Sequence, residues 1–248
     1  MRLCHTGVMD PATYLAAIDR DGHAVLDAGK AGLDAAVPTC PGWTVRDVLG
    51  HLGRVHRSVA DIVEQRLTTM PTTPMPTPPA GDAVLGFYEE GLQRLHAALA
   101  AVDPDEPVYT WAGDQRAGFY HRRMALELAI HRVDVERAHG EPGAIDADLA
   151  VDGIDELYEV VLPFSARRRG TPLPAGSLHL HRTDGDGEWL VRAEGDRVVV
   201  TREHAKGDAA VRAAAGDLLL FAWNRGRPER LQVFGDEGVA AEWARLAP

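Results

Sequence analysis

Midway along the chain, an apolar helical pattern carries ionisable side chains on one stripe: Met124-Ala125-Leu126-Glu127-Leu128-Ala129-Ile130-His131-Arg132-Val133-Asp134. Glu127 and His131 are four residues apart, which places them about 40° apart around a helix axis and roughly 6 Å apart along it. Asp134, three residues further on, returns to nearly the same stripe. Because an unpaired buried charge is costly, these side chains need partners. The pattern therefore predicts a helix that faces a core and carries a polar site.

A divalent metal is one partner that would satisfy these groups. A carboxylate and an imidazole one helical turn apart form a common half of a metal site. The missing ligand would come from another helix, and His51, within Trp43–Leu52, is the candidate. Spacing alone leaves a second interpretation open, a Glu–His hydrogen bond on a partly solvated face.

Composition excludes several classes of function. The 248 residues are 45% hydrophobic and 25% charged, which is typical of an ordinary globular protein of one large or two small domains. A net charge of −11 argues against nucleic acid as a partner. No apolar run approaches about 20 residues, and the N-terminal segment resembles no secretory signal. Since Cys4 and Cys40 are the only cysteines, we expect a cytoplasmic protein with reduced thiols.

Helical spacing of apolar residues extends through the first two thirds of the chain. It predicts five helices, over about 10–35, 44–67, 82–101, 115–139 and 146–164. The proline-rich segment 68–81 is predicted to be an extended linker or lid. The N-terminal part, residues 1–166, is therefore expected to be all-α.

The pattern changes after the arginines at 167–169. Alternation with a period of two predicts strands at 178–181, 189–193 and 197–201, with turn residues between them. Residues 209–223 are predicted to be helical, 231–234 a strand and 237–246 a helix. We therefore expect an α+β protein, with residues 167–248 forming a small α+β domain around an antiparallel sheet.

Three parts of the sequence resemble the mycothiol-dependent maleylpyruvate isomerase family. They are Val37–Asp47 followed by His51, then Glu127–Asp134, then Leu218–Arg225 with Val233–Asp236. That family belongs to the DinB-like group of metal-binding four-helix bundles, and its second part resembles sterol carrier proteins. The resemblance covers nearly the whole chain. It implies a DinB-like four-helix bundle followed by a small sterol-carrier-like α+β domain.

The resemblance also implies a ligand set and a chemistry. His51, Glu127 and His131 would be the metal ligands, with zinc as the ion, and such a set leaves one coordination position open. The implied cosubstrate is mycothiol, a low-molecular-weight thiol of actinobacteria. The implied activity is that of an isomerase or an S-transferase acting on a small electrophilic substrate, and the sequence does not choose between them.

Two further residues match the family pattern and are expected in the catalytic site. Asp134 would orient a ligand or handle a proton, the alternative being a salt bridge with Arg137. Arg225 matches a family arginine that faces the site across the domain cleft. Its guanidinium suits a carboxylate on the substrate or on the thiol. The alternative is a surface arginine at a helix end.

Other candidates and other functions remain in view. Four residues near His51 in the sequence have simpler interpretations. His56 would pack in the core or lie in solvent, and Asp47 would cap a helix. Trp43 would form part of a core or a pocket wall, and Cys40 would be a small buried residue. His179 and His181 share a strand face, with no third ligand evident nearby. A zinc-dependent hydrolase of DinB-like type and a non-catalytic ligand-binding protein are the alternative functions. We expect small-molecule partners, no nucleic acid or membrane, and a monomer or homodimer.

Overall fold

The structure is a computed structural model that describes residues 9–248. The chain divides into two compact units, the first ending at Gly143 and the second beginning at Ala144. Cys4 and most of the N-terminal segment considered above lie outside the described residues. Within residues 9–248, no helix has the length and apolar character needed to cross a membrane.

Four long helices form the first unit: α1 (Pro11–Ala31), α2 (Val45–Glu64), α3 (Ala83–Ala101) and α4 (Gly118–Arg137). Helix α2 packs mainly on α3, and α1 mainly on α4. Asp10 caps α1, since its Oδ1 accepts hydrogen bonds from the backbone of Ala12 and Thr13, and Pro11 fits the first helical position. The described residues of this unit contain helices and isolated bridges but no strand, as the helical spacing predicts.

Helix α4 is buried on several faces. The apolar positions of its central part are all buried, namely Leu126, Leu128, Ala129, Ile130 and Val133. These buried apolar residues lie on more than one face of the helix, which places its central part in a core rather than at a surface. Full burial of each large aliphatic side chain contributes about 1.5–3 kcal/mol. The predicted core-facing helix is therefore present, and the core fixes the orientation of its polar stripe.

The proline-rich segment 68–81 contains no helix or strand and is largely exposed. One of its residues, Pro78, nevertheless packs against α2. A Cβ atom placed on Gly50 would lie 3.1 Å from Pro78 Cβ, so glycine allows this close approach. Gly50, the residue that Pro78 contacts, directly precedes the candidate ligand His51.

The second unit combines helices with a five-stranded sheet. Helix α5 (Ala147–Glu156) continues through a π-helical turn (Leu157–Val161) into α6 (Leu162–Arg169). There follow β1 (Leu178–Arg182), β2 (Glu188–Glu194), β3 (Arg197–Thr201), β4 (Ala209–Ala213), α7 (Ala215–Ala222), a short 3-10 turn (Pro228–Arg230), β5 (Gln232–Gly235) and α8 (Glu237–Arg245). The sheet order is β3-β2-β1-β4-β5. The α+β fold class expected from the sequence is confirmed.

Two details of the C-terminal prediction are wrong. Residues 209–213, expected to begin a helix, form strand β4, in which Ala209, Val211 and Ala213 are buried and Arg212 is exposed. Pairing across the sheet outweighs the helix propensity of alanine. The sheet is also mixed rather than antiparallel, because β1 and β4 are parallel neighbours while the other pairs are antiparallel.

The compact units also divide the chain earlier than residue 166. Helix α5 packs on α7 in the second unit. A buried hydrogen bond supports this arrangement, since Trp189 Nε1 on β2 donates to Asp155 Oδ1 on α5 at 2.6 Å. Residues 147–169 therefore pack within the second unit, against α7 and β3.

Candidate metal centre

Helices α2 and α4 bring three predicted ligands together. Glu127 Oε1 lies 3.1 Å from His51 Nε2 and 3.4 Å from His131 Nε2. The three ligand atoms all lie within 4.8 Å of one another. All three side chains are partly buried, and the two imidazole ring centroids are 5.2 Å apart. Glu127 and His131 follow His51 by 76 and 80 positions in the sequence. The packing of α4 against α2 brings these distant residues together.

The donor set fits a zinc ion. Tetrahedral zinc with bonds of about 2.0–2.2 Å separates its ligand atoms by about 3.3 Å. The two distances measured from Glu127 Oε1 are close to that separation. Two imidazoles and a carboxylate are ligands that zinc accepts, and three protein ligands leave one position open.

Asp134 lies directly behind His131. Its carboxylate is fully buried, and its Oδ2 accepts a hydrogen bond from His131 Nδ1 at 3.0 Å. Thr39 Oγ1 donates to Asp134 Oδ1 at 2.5 Å, and Cys40 Sγ lies 3.5 Å from Oδ2. With the Nδ1 proton directed at Asp134, the Nε2 atom of His131 faces Glu127. A carboxylate behind a ligating histidine fixes both its tautomer and its ring orientation.

The protonation of His131 follows from these neighbours. Burial lowers its pKa, but the hydrogen bonds to Asp134 and Glu127 outweigh burial and raise the pKa to about 9. In the metal-free protein, His131 therefore carries a proton at neutral pH. A metal ion that binds here must displace that proton.

Arg123 is a neighbour of the site that the sequence analysis missed. It is buried on α4, one turn before Glu127, and its Nη2 donates to Glu127 Oε2. The other carboxylate oxygen, Oε1, is the one near the two histidines. Burial raises the pKa of Glu127, but Arg123 and the two imidazoles outweigh it and hold the pKa well below its usual range. The i, i+4 Arg–Glu spacing was the available signal.

The simpler interpretations fit His56 and Asp47 on α2, whereas Cys40, expected to be buried, is only partly so. His56 is fully buried beside Tyr88, and burial lowers its pKa to about 3, so it is neutral. Asp47 Oδ2 accepts from Thr44 N and Thr44 Oγ1, which is a capping contact. The Trp43 ring centroid lies 5.6 Å from that of His51, so its indole stands beside the candidate ligand.

Arg225 follows α7 in the second unit. It is buried, and its Nη1 donates to Trp223 O at 2.8 Å. Its guanidinium carbon lies 5.9 Å from the centroid of the Trp223 ring. The alternative of a surface arginine therefore does not hold, and its role in catalysis remains a prediction.

Comparison with known proteins identifies the family. The chain matches the mycothiol maleylpyruvate isomerase N-terminal domain over residues 15–136 and the C-terminal domain of the same family over residues 148–242. The crystal structure of a mycothiol-dependent maleylpyruvate isomerase superposes with a TM-score of 0.66 at 14% identity, covering 91% of this chain and 93% of that one. A histidine-to-alanine variant of such an enzyme superposes with the same TM-score at 13% identity. No curated protein matches the chain in sequence. On these two domain matches, which together span most of its length, the chain belongs to the mycothiol-dependent maleylpyruvate isomerase family.

Proposed function

We propose that this protein is a zinc-dependent enzyme that uses mycothiol as cosubstrate and acts as an isomerase or S-transferase on a small electrophilic substrate. The observation that carries the proposal is the placement of Glu127 Oε1 at 3.1 and 3.4 Å from two imidazole nitrogens, with Asp134 behind one of them. Family membership and the printed name of the structural relative support the thiol and the reaction class.

The chain's own residues hold the ligand atoms in place. Asp134 directs the Nε2 atom of His131 inwards, and Thr39 holds Asp134 through its hydroxyl group. Arg123 engages one oxygen of Glu127 and so presents the other to the histidines. When bound, a zinc ion supplies a Lewis acid that lowers the pKa of a thiol or water in its open position.

Of the two roles left open for Asp134, the geometry favours orientation. Its carboxylate is fully buried and contacts His131 Nδ1, the nitrogen that faces away from Glu127. We therefore assign Asp134 as a positioning residue. We assign Arg225 to a carboxylate of the substrate, because a planar guanidinium can hold a carboxylate through two parallel hydrogen bonds.

The test is thiol-dependent turnover followed by mass spectrometry. Zinc-loaded protein is incubated with mycothiol and a panel of small electrophiles that contain activated double bonds. An isomerase gives a product of unchanged mass and altered retention, whereas an S-transferase gives the summed mass of thiol and substrate. His131→Ala should abolish either product, and His23→Ala, which removes an exposed imidazole on α1, should leave it intact.

Two results would contradict the proposal. Turnover that is equally fast without any thiol would favour the hydrolase alternative, in which the open position holds water. Equal turnover by the wild type and by His131→Ala would remove the metal centre from the reaction.

A further inference from the structure

A second group of metal-ligating side chains lies on the sheet of the second unit. Strand β1 carries His179 and His181, strand β2 begins with Glu188, and the segment between β3 and β4 carries His204. His179 Nε2 lies 2.5 Å from Glu188 Oε2, and His181 Nδ1 lies 2.6 Å from Glu188 Oε1. His204 Nδ1 lies 3.1 Å from Glu188 Oε1. Three imidazoles thus surround one carboxylate.

We propose that His179, Glu188 and His204, with His181 as a fourth donor, form a second site for a divalent transition metal that prefers imidazole ligands. Zinc is the representative ion, and the same donors accept nickel or copper. The site would be structural: it would hold the segment of residues 202–208 against strands β1 and β2.

The geometry is close to what a tetrahedral ion requires. One ligand atom each from His179, Glu188 and His204 lies within 4.8 Å of the others. The three imidazole ring centroids are 5.6, 6.0 and 6.3 Å apart. To reach ligand separations of about 3.3 Å, the wider pairs of His179, Glu188 and His204 must approach by about 1.5 Å or less. The two close pairs with Glu188, at 2.5 and 2.6 Å, must move apart by about 0.8 Å or less. The side chain of His204 is 80% exposed and can make such a movement without disturbing the core.

Hydrogen bonding alone explains this cluster poorly. His204 is so exposed that an ion pair or hydrogen bond to Glu188 adds little stability, because solvent screens it. This weak interaction does not account for a third imidazole held beside those of His179 and His181. Burial raises the pKa of Glu188, but the hydrogen bonds from the histidines outweigh it and lower the pKa, so the carboxylate is an anionic donor near neutral pH. A metal cation would join all four groups at once.

The sheet topology gives the site a structural purpose. Thr201, Leu190, His179 and Ala210 lie in one row across strands β3, β2, β1 and β4. The segment 202–208 must therefore pass across β2 and β1 to connect β3 with β4. His204 lies within this crossover, and the other three donors lie on the strands it crosses. A metal at this position would fix the crossover to the sheet.

The experiment measures zinc per chain in the tag-free, full-length protein. After treatment with a chelator, the protein is saturated with Zn²⁺ alone, desalted and analysed by inductively coupled plasma mass spectrometry. Wild type is expected to retain one more zinc per chain than either His204→Ala or Glu188→Gln. His23→Ala serves as the matched control for loss of an exposed imidazole and should retain the wild-type amount.

The comparison is independent of the proposed catalytic centre. His131→Ala should lose one zinc of its own, and the loss in His131→Ala/His204→Ala should be the sum of the two. Equal zinc in wild type and His204→Ala would overturn the second site, whatever His131→Ala shows. Failure of His131→Ala alone would count only against the first site.

Limited proteolysis tests the structural role. Lys206 is exposed within the crossover and offers trypsin a cleavage site. Zn²⁺ is expected to slow cleavage after Lys206 at least tenfold in wild type and to leave it unchanged in His204→Ala. Zinc uptake without slower cleavage in wild type would refute the clamping role.

Discussion

Replacing Asp134 with asparagine tests whether this carboxylate sets the protonation of His131, the proposed metal ligand. The amide keeps the size of the side chain but removes the negative charge that lies 3.0 Å from His131 Nδ1. The substitution has two opposing effects on zinc affinity. The first is a loss: removing the carboxylate behind a ligating histidine typically weakens metal binding about 10–100-fold.

The second effect is a gain that depends on pH. Burial lowers the pKa of His131, but its hydrogen bonds to Asp134 and Glu127 raise it to about 9. At pH 7, therefore, only about 1% of His131 is neutral, and displacing the proton costs about 2.7 kcal/mol, or roughly 100-fold in affinity. Without the charge of Asp134, the pKa of His131 falls towards its ordinary value of 6.5, and most of that cost disappears.

The expected result is a pair of pH profiles that diverge. Near pH 7, the loss and the gain nearly cancel, so wild type and Asp134→Asn bind zinc with similar affinity. As pH rises towards 9, wild type gains about tenfold per pH unit while the variant gains little, and the difference grows to about 10–100-fold. Competition with a chromophoric chelator across this pH range measures both profiles.

A matched control is available on α1. Asp19 and His23 form an exposed pair, with Asp19 Oδ1 3.4 Å from His23 Nδ1. Asp19→Asn should reproduce the wild-type profile. A constant ratio between Asp134→Asn and wild type at every pH would refute the argument that Asp134 sets the protonation of His131. Equal affinities throughout would remove Asp134 from the metal centre.

Three further predictions address the same centre and the second unit. Arg123→Met leaves the Glu127 carboxylate without its guanidinium partner and should lower the free energy of unfolding by about 3–5 kcal/mol in urea titrations, with Arg123→Lys losing less. In the metal-free protein, His131 has a folded-state pKa raised above 6.5, so its stabilisation is present in full below pH 6.5 and is lost as pH rises through about 9. Urea unfolding with chelator present should show a decrease of up to about 3 kcal/mol over that range in wild type and a smaller one in His131→Ala. Arg225→Lys should keep normal metal content while kcat/KM falls by roughly 1–3 kcal/mol in transition-state terms, and unchanged kinetics would leave Arg225 without a catalytic role.

Local sequence patterns predicted the structural features that depend only on residues a few positions apart. The four helices of the first unit follow from apolar spacing and from capping signals such as Thr44 with Asp47. The relation of Glu127 to His131 follows from helix geometry alone. His51 could be named as a candidate third group from the sequence, but only the family resemblance gave it specific support, because nothing local to either helix sets the depth at which two helices approach.

Contacts between residues far apart in the sequence determine the features of the second unit that the sequence patterns did not predict. Residues 209–213 contain three alanines and favour a helix, yet they form a strand because β1 and β5 offer hydrogen-bonding partners on both sides. The mixed character of the sheet arises in the same way, from a crossover that places β4 beside β1. Asp155, a helical residue with no strand nearby in sequence, accepts from Trp189 and Arg202 and so connects α5 to the sheet.

The same limit explains why His179 and His181 lacked a partner in the sequence analysis. Their strand face was evident from alternation, but Glu188 is set opposite His181 by the antiparallel register of β1 and β2. A register shifted by one residue would turn the Glu188 side chain to the other face of the sheet. His204 comes close only because the crossover spans two strands. A site assembled in this way depends on strand order and register together. Its ligands are therefore visible only once the sheet has formed, whereas the Glu127–His131 pair is already determined by one helix.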